Sequence, residues 1–209
     1  MIKPVSAADC EKALAEGKRW LNMAREQMKQ NDAATVDFLL EAEGKVKNCE
    51  YGDSLRQEIY TALGQVYFPE NREKAIMYLE KARETGMKTE SPNSFPVALL
   101  GKIYAEAYLN DITLFPRAIL HYKAALEIKN FSSQALARQT LKEYNRLKEK
   151  TGQVKSDLLE LARKHESGNE WDRALKVYKA LLLMVKYDKK LIAARNRAES
   201  ELQKQRNRE

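Results

Sequence analysis

One pattern of small and aromatic residues occurs three times along this chain. It reads ALGQVYFPENREKAIMYLEKA at 62–82, LLGKIYAEAYLNDITLFPRAILHYKAA at 99–125 and ELARKHESGNEWDRALKVYKALL at 160–182. Each copy holds two stretches of helix-favouring residues with a break between them. A single helix pair of this length cannot bury its apolar face alone, so a recurring pair predicts a stack of helix hairpins.

Small residues mark the points where the two helices of each predicted pair cross. They are Gly64 with Ala75, Gly101 with Ala118, and Ala162 with Ala174. Because a missing or short side chain lets two backbones approach, these positions predict close antiparallel packing. Large residues surround each crossing and are expected to fill the space between the helices: Leu63, Tyr67, Leu79, Leu100, Tyr104, Tyr122, Leu161, His165 and Tyr178.

The spacing resembles the tetratricopeptide repeat (TPR) family, in which W-x2-L-G-x2-Y is followed by A-x3-F and then A. The middle copy has a longer loop at 110–116 and is similar to the related Sel-like repeats. The position of the family's Trp holds Tyr60, Val97 and Leu158 in the three copies. The resemblance covers residues 55–187 and implies an all-α, right-handed α-solenoid of antiparallel helix pairs, with about ten helices.

The expected organisation is a single TPR-like solenoid domain spanning residues 1–209. Its predicted parts are a degenerate repeat at 7–48, further repeats at 54–86, 94–129 and 155–187, and a capping helix at 188–206. The final segment is charged and polar, as expected for the helix that ends a solenoid.

Local signals predict where individual helices begin and end. Ser6 begins an S-A-A-D sequence typical of a helix N-terminus, and the helix that follows is expected to break at Asn31-Asp32. Gly86 is expected to end its helix as a C-terminal glycine. A separate polar helix is expected over 132–150, with Thr151-Gly152 closing it.

The family resemblance implies a non-catalytic protein–protein interaction scaffold or adaptor, working as an accessory subunit of a larger complex. In such repeats the first helix of each pair lines a concave groove that holds a peptide, an extended segment or a helix of a partner. Matching the repeats places seven residues in that groove: Thr61, Gln65, Phe68, Ala98, Lys102, Leu159 and Arg163. Lys102 and Arg163 are its candidate cationic contacts. A homo-oligomer is left open as well.

The distribution of charge supports an alternative function. The formal net charge of the chain is +7, to which residues 1–130 contribute −1 and residues 131–209 contribute +8. The cations of the second segment include a stripe at four-residue spacing and a second cluster: Arg138, Lys142, Arg146, Lys150, Lys189, Lys190, Arg195 and Arg197. Such residues attract phosphate groups, so the alternative is a binder of nucleic acid or an anionic surface. Nucleic acid is disfavoured because only Tyr144 and Tyr187 accompany these cations as stacking groups.

The sequence contains no motif that would carry catalysis. It lacks a GxSxG nucleophile elbow, a Walker A loop, a GxGxxG loop and an HExxH metal motif. Its two histidines, His121 and His165, belong to different repeats, and no cysteine or carboxylate cluster joins them at metal-ligand spacing. We therefore expect no enzyme, no metal site and no cofactor.

The chain has two cysteines, Cys10 and Cys49. In a helix pair that turns near residues 30–31 they lie opposite each other at its open end, where a disulfide would indicate an oxidising compartment. Two reduced, buried thiols are the other interpretation. No apolar run approaches the roughly 20 residues that cross a bilayer, and the first ten residues lack the apolar segment of a secretory signal. The expectation is a cytoplasmic protein, or a periplasmic or otherwise exported one if the disulfide forms and a signal has been removed.

Overall fold

The computed structural model describes residues 6–30 and 34–208, which form nine α-helices and one short 3-10 helix, with no strand. The helices are α1 (Ala7–Gln30), α2 (Ala34–Val46), α3 (Asp53–Tyr67), α4 (Arg72–Gly86), α5 (Ser94–Ala107), α6 (Phe115–Ile128), α7 (Gln134–Ser167), α8 (Trp171–Met184) and α9 (Lys189–Arg206), and the 3-10 helix spans Ile112–Leu114. The predicted all-α class is confirmed for this part of the chain. The predicted break at Asn31-Asp32 lies outside the described residues.

The described residues group into two compact units. The first consists of the residues up to Leu100 together with Glu127–Leu136, and the second consists of Gly101–Leu126 together with the residues from Ala137 onward. Helices that follow one another in the chain pack as pairs, for example α1 with α2, α3 with α4, and α8 with α9.

The first compact unit contains two antiparallel pairs, α1–α2 and α3–α4. Trp20 of α1 contacts Phe38 of α2 with ring centres 5.6 Å apart, while Glu16 pairs with Lys45 at 3.0 Å, so the two helices run in opposite directions. Helix α2 also packs on α3. Burial of one shared apolar core stabilises the unit: Leu21, Ala24, Leu39, Ala42, Val46, Ile59, Ala62, Leu63 and Tyr78.

The crossing of α3 and α4 shows why the repeat pattern carries small residues there. A Cβ atom on Gly64 would lie 2.5 Å from Leu79 Cγ, and Ala75 at the same crossing is fully buried. Helix α4 ends at Gly86 as predicted, but the glycine is required by packing and not by a left-handed C-terminal cap. No glycine in the described residues has a positive φ. Instead, the Gln57 amide of α3 occupies the space that a Cβ atom on Gly86 would need.

The second compact unit repeats this kind of packing with bulkier aromatic contacts. Tyr104 of α5 stacks on His121 of α6 with ring centres 5.3 Å apart. One turn earlier, Gly101 leaves room for the ring of Tyr122, whose Cδ1 would lie 2.8 Å from an added Cβ atom. Because Tyr122 is buried, the pKa of its hydroxyl is raised and it remains neutral.

The α7–α8 connection is a tight turn with one residue in the left-handed region. Asn169 has a φ of 56°, a conformation that Asn tolerates better than most residues. Ala162 and Ala174 are fully buried on the two helices. His165 departs from the prediction, since it does not simply fill the space between the helices. It is partly exposed and its Nδ1 contacts the Glu170 carboxylate at 2.5 Å.

The predicted helix boundary at Thr151-Gly152 is wrong, because α7 continues through these residues without a break. Its buried residues recur at spacings of seven and four, so one continuous helix keeps them on one face: Thr140, Leu147, Val154, Leu158 and Ala162. A lone glycine costs a helix interior only about 1 kcal/mol, which burial of this stripe outweighs. The predicted repeat at 155–187 therefore begins inside α7.

Candidate interaction site

A cleft of about 620 Å³ opens in the first compact unit. Its volume falls within the roughly 300–1,000 Å³ typical of ligand pockets. The lining comes from the last turns of α1, one face of α3, the start of α5 and the α6–α7 connection: Arg25, Glu26, Met28, Lys29, Glu58, Thr61, Ala62, Gln65, Asn93, Phe95 and Ser132.

Helix α3 contributes Glu58, Thr61, Ala62 and Gln65, which recur at three- and four-residue spacing and therefore share one helix face. The Thr61 hydroxyl is already satisfied within the helix, because its Oγ1 donates to the Gln57 carbonyl oxygen at 2.6 Å. Ala62 is buried and leaves space for a ligand to approach the helix. Gln65 is partly exposed and supplies an amide that can both donate and accept hydrogen bonds.

The α1 side of the cleft is charged but internally compensated. Arg25 of α1 donates to Glu58 of α3 at 2.7 Å, and Lys29 pairs with Glu26 at 2.7 Å. These side chains are largely exposed, so each pair contributes at most about 1 kcal/mol to stability. Because the lining holds two cations and two anions, the cleft suits a mainly neutral ligand better than a strongly charged one.

The opposite side of the cleft is uncharged and is held by hydrogen bonds between two loops. Asn130 Nδ2 donates to Ser91 Oγ at 3.0 Å, and the Ser94 N–H donates to the Asn130 carbonyl oxygen at 3.0 Å. At the start of α5, the Phe95 N–H donates to Asn93 Oδ1 at 2.9 Å. These bonds fix the residues that face the cleft, because the two loops cannot move independently.

Four of the seven predicted groove residues lie in the first compact unit. Thr61 and Gln65 line the cleft. Phe68 caps the C-terminus of α3 and is partly buried, and Ala98 is buried within α5.

The other three predicted groove residues lie in the second compact unit. Lys102 is exposed on α5, whereas Leu159 and Arg163 lie one turn apart on α7, the first half-buried and the second exposed. None of the three lines the cleft described above.

Sequence reasoning missed several residues of the cleft. The family pattern assigns no groove position to Arg25 or Met28, because the first repeat is degenerate. It also assigns none to Asn93, Phe95 or Ser132, because these come from connections and a helix start rather than from the middle of a first helix. The sequence does place Asn93 in a loop rich in Ser and Pro. For the missed cleft residues, this loop composition is the signal that the sequence offers.

The basic stripe of the alternative function lies on α7. Arg138, Lys142, Arg146 and Lys150 are all exposed. One of them, Arg146, pairs with Glu143 of the same helix at 2.8 Å.

The second basic cluster lies on α9 and is partly engaged within the protein. Lys189 and Lys190 are exposed at the start of the helix. Arg195 donates to the neighbouring Asn196 at 2.6 Å, and Arg197 donates to Glu166 of α7. This hydrogen bond links α9 to α7. It also raises the pKa of Arg197, which therefore stays positively charged.

The structure brings Cys10 and Cys49 together as two buried free thiols. The Cys49 thiol donates to the Cys10 carbonyl oxygen at 3.5 Å. Burial raises the pKa of Cys49 to about 11, hydrogen bonding with the Cys10 side chain adds to this effect, and the Arg56 guanidinium opposes it. The disulfide itself stays a prediction.

Within the described residues, no group of three or more His, Cys, Asp or Glu side chains is arranged to hold a metal ion. None of the helices in the described ranges is both long enough and apolar enough to cross a membrane. Comparison with protein-family models, curated proteins and solved structures finds no match to this chain. Its function is therefore inferred from its own residues.

Proposed function

We propose that this chain is a non-catalytic protein–protein interaction scaffold whose helix pairs stack as a TPR-like right-handed solenoid. In this proposal the cleft of the first compact unit binds a segment of a partner protein, and the chain acts as an accessory subunit of a larger complex. The recurring crossings at small residues, seen at Gly64 and Gly101, support the repeat model because each admits a bulky side chain of the next helix.

The position of the cleft carries the proposal. In a repeat scaffold, the first helices of successive pairs line the binding surface. Helices α1, α3 and α5 are the first helices of three successive pairs, and all three contribute side chains to the cleft. Two of these residues, Thr61 and Gln65, are those that the repeat pattern assigns to the groove.

The chemistry of the lining favours a neutral, extended polypeptide segment as the occupant. Met28, Ala62 and Phe95 provide apolar contact for one or two side chains. Gln65 and Ser132 provide donors and acceptors, which an extended backbone requires because its N–H and C=O groups are unpaired. The compensated ion pairs on the α1 side of the cleft leave no net charge to attract a polyanion.

The experiment that tests this proposal blocks the cleft with one bulky residue. We expect Gln65→Trp to fill the space beside Ala62 and to reduce capture of the partner at least tenfold, a loss of about 1.4 kcal/mol or more. Capture is measured by pull-down from source-cell lysate with nuclease present, followed by mass spectrometry and a binding titration with the purified partner.

The matched control is Gln139→Trp, which adds the same side chain at an exposed position of α7. It should leave capture unchanged, and circular dichroism should show that both variants are folded. Equal capture by the wild type and a folded Gln65→Trp variant would remove the cleft from the proposal. The double charge reversal Lys102→Glu with Arg163→Glu tests the remaining cationic groove positions in the same assay.

The alternative is an anionic-surface or nucleic-acid binder that uses residues 131–209. The observation that favours it is the exposure of all four stripe residues on α7. Salt separates the two functions, because binding to phosphates weakens steeply as salt rises, whereas neutral contacts in a cleft do not.

A further inference from the structure

The open end of the α1–α2 pair holds two thiols that the proposed function does not use. Cys10 lies in the first turns of α1 and is 5% exposed, and Cys49 follows the end of α2 and is 2% exposed. The Cys49 thiol donates to the Cys10 carbonyl oxygen at 3.5 Å, and the neighbouring Cys10 side chain helps to raise the pKa of Cys49. The two cysteines of the chain therefore lie next to each other at the open end of the α1–α2 pair.

We propose that Cys10 and Cys49 close into an intramolecular disulfide that clamps the N-terminus of α1 to the α2–α3 connection. This inference is independent of the proposed partner site. It rests on the pairing of the two helices, which brings both buried cysteines to the open end of the pair and the Cys49 thiol within 3.5 Å of the Cys10 backbone.

The register of the helix pair supports this bridge. Moving from the open end towards the turn, Cys10 faces Cys49, Glu16 pairs with Lys45 at 3.0 Å, and Trp20 contacts Phe38. The same antiparallel register thus holds over three helical turns, so the thiols meet because of the packing of the whole pair and not through a local irregularity.

The backbone around Cys49 is held in place by Arg56 of α3. Its guanidinium donates to the Cys49 carbonyl oxygen at 2.5 Å and to the Val46 carbonyl oxygen at 3.0 Å. Asp53 accepts from the same guanidinium at 2.8 Å. Cys10 lies near the beginning of α1, where a helix frays most readily. The backbone at Cys49 is therefore held in place, and small movements of the α1 terminus can bring the two sulfur atoms into bonding distance.

The chemistry of closure is thiol–disulfide exchange with a low-molecular-weight disulfide. One cysteine thiolate attacks a sulfur of that disulfide, which forms a mixed disulfide and releases one small thiol. The other cysteine then displaces the second small thiol and forms the Cys10–Cys49 bond. The two protein thiols together lose two protons and two electrons. The small disulfide takes up these protons and electrons and becomes the two released thiols.

Burial makes this exchange slow in the native state. With its pKa raised to about 11, Cys49 is almost entirely protonated near neutral pH, and only thiolates attack disulfides. Exchange is expected to proceed during folding or through opening of the first turns of α1. Once formed, the bridge is shielded from reductants by the same burial.

The test refolds the reduced, denatured chain in a buffer of oxidised and reduced glutathione, beside a sample refolded with reductant alone. Peptide mapping under non-reducing conditions should find Cys10 linked to Cys49 in one chain, with loss of both titratable thiols. The bridge closes a loop of about 40 residues, so the oxidised protein should melt roughly 10 °C higher than the reduced one.

Single variants Cys10→Ala and Cys49→Ala are the controls, and neither should melt higher after oxidative refolding. Four results would overturn the proposal: thiols that stay free, glutathione attached separately to each cysteine, disulfides between chains, or a Cys10–Cys49 bridge with no rise in melting temperature. The double variant Cys10→Ala/Cys49→Ala reports the melting temperature of a folded chain without either thiol.

Discussion

Lys129 has a backbone conformation that suits its side chain poorly. It follows α6 with a φ of 61°, in the left-handed region. A non-glycine residue there costs of order 1–2 kcal/mol. The next residue, Asn130, makes the hydrogen bonds that join the two loops beside the cleft. The strained conformation therefore persists because these bonds require the chain to turn at Lys129.

We predict that Lys129→Gly stabilises the protein by roughly 0.5–1 kcal/mol, because glycine adopts a positive φ without steric cost. The gain is smaller than the full strain, since glycine also increases the conformational entropy of the unfolded chain. Urea unfolding should show a higher midpoint with an unchanged slope.

The control for this prediction is Lys148→Gly on α7. Lys148 is also exposed but lies in a regular helix, where glycine should destabilise by about 1 kcal/mol. If Lys129→Gly raises the free energy of unfolding and Lys148→Gly lowers it, backbone strain at Lys129 is the cause. If both variants are destabilised, the prediction is wrong.

At the scale of the helices, α7 contains a glycine with no packing role. An added Cβ atom at Gly152 would meet nothing within 4 Å, and the residue is exposed in the middle of the helix. We predict that Gly152→Ala stabilises the protein by about 1 kcal/mol, which raises the melting temperature by roughly 2–4 °C for a chain of this size. Calorimetry measures the shift.

Gly64→Ala provides the contrasting variant within the same chain. Its Cβ atom would lie 2.5 Å from Leu79 Cγ, so overpacking at the α3–α4 crossing should destabilise by about 1–3 kcal/mol. If Gly152→Ala also destabilised the protein, α7 would have to break near Thr151 rather than continue as one helix.

Local sequence rules predicted the start of α1 and the residue at which α4 ends, but not the cap of α3 or the length of α7. Ser6 accepts a hydrogen bond from the Asp9 N–H at 3.2 Å, as the capping sequence predicts. The end at Gly86 was predicted correctly, but the glycine is needed there because Gln57 occupies the space of a Cβ atom, a contact that no local pattern contains. The break at Thr151-Gly152 was wrong, because the buried stripe of α7 extends on both sides of a weak local signal.

At the scale of the whole molecule, the sequence predicted the helical class but only part of the candidate site. The repeat pattern identifies Thr61 and Gln65, because both depend on the register within one helix. Arg25, Phe95 and Ser132 complete the cleft from segments far apart in sequence. Their convergence depends on tertiary packing and on the loop held by Asn130, which single-sequence periodicity does not encode.

The net charge of +7 gives the last prediction, because a chain of this charge attracts phosphate polymers whatever its function. If the four stripe residues of α7 each contact one phosphate, the affinity for duplex DNA should fall about a hundredfold as salt rises from roughly 50 to 200 mM. A variant with all four replaced should lose this salt dependence and most of its DNA binding: Arg138→Gln, Lys142→Gln, Arg146→Gln and Lys150→Gln. These side chains are exposed, so the variant should fold normally.

The same variant should still capture the protein partner at about 200 mM salt, because neutral contacts in the cleft are not screened. Gln65→Trp should show the converse behaviour, keeping the binding to DNA while losing the partner. The two variants together separate electrostatic attraction from recognition. The opposite result would be loss of partner capture in the variant without the four α7 cations, together with normal capture by Gln65→Trp. It would identify α7, and not the cleft, as the surface that binds the partner.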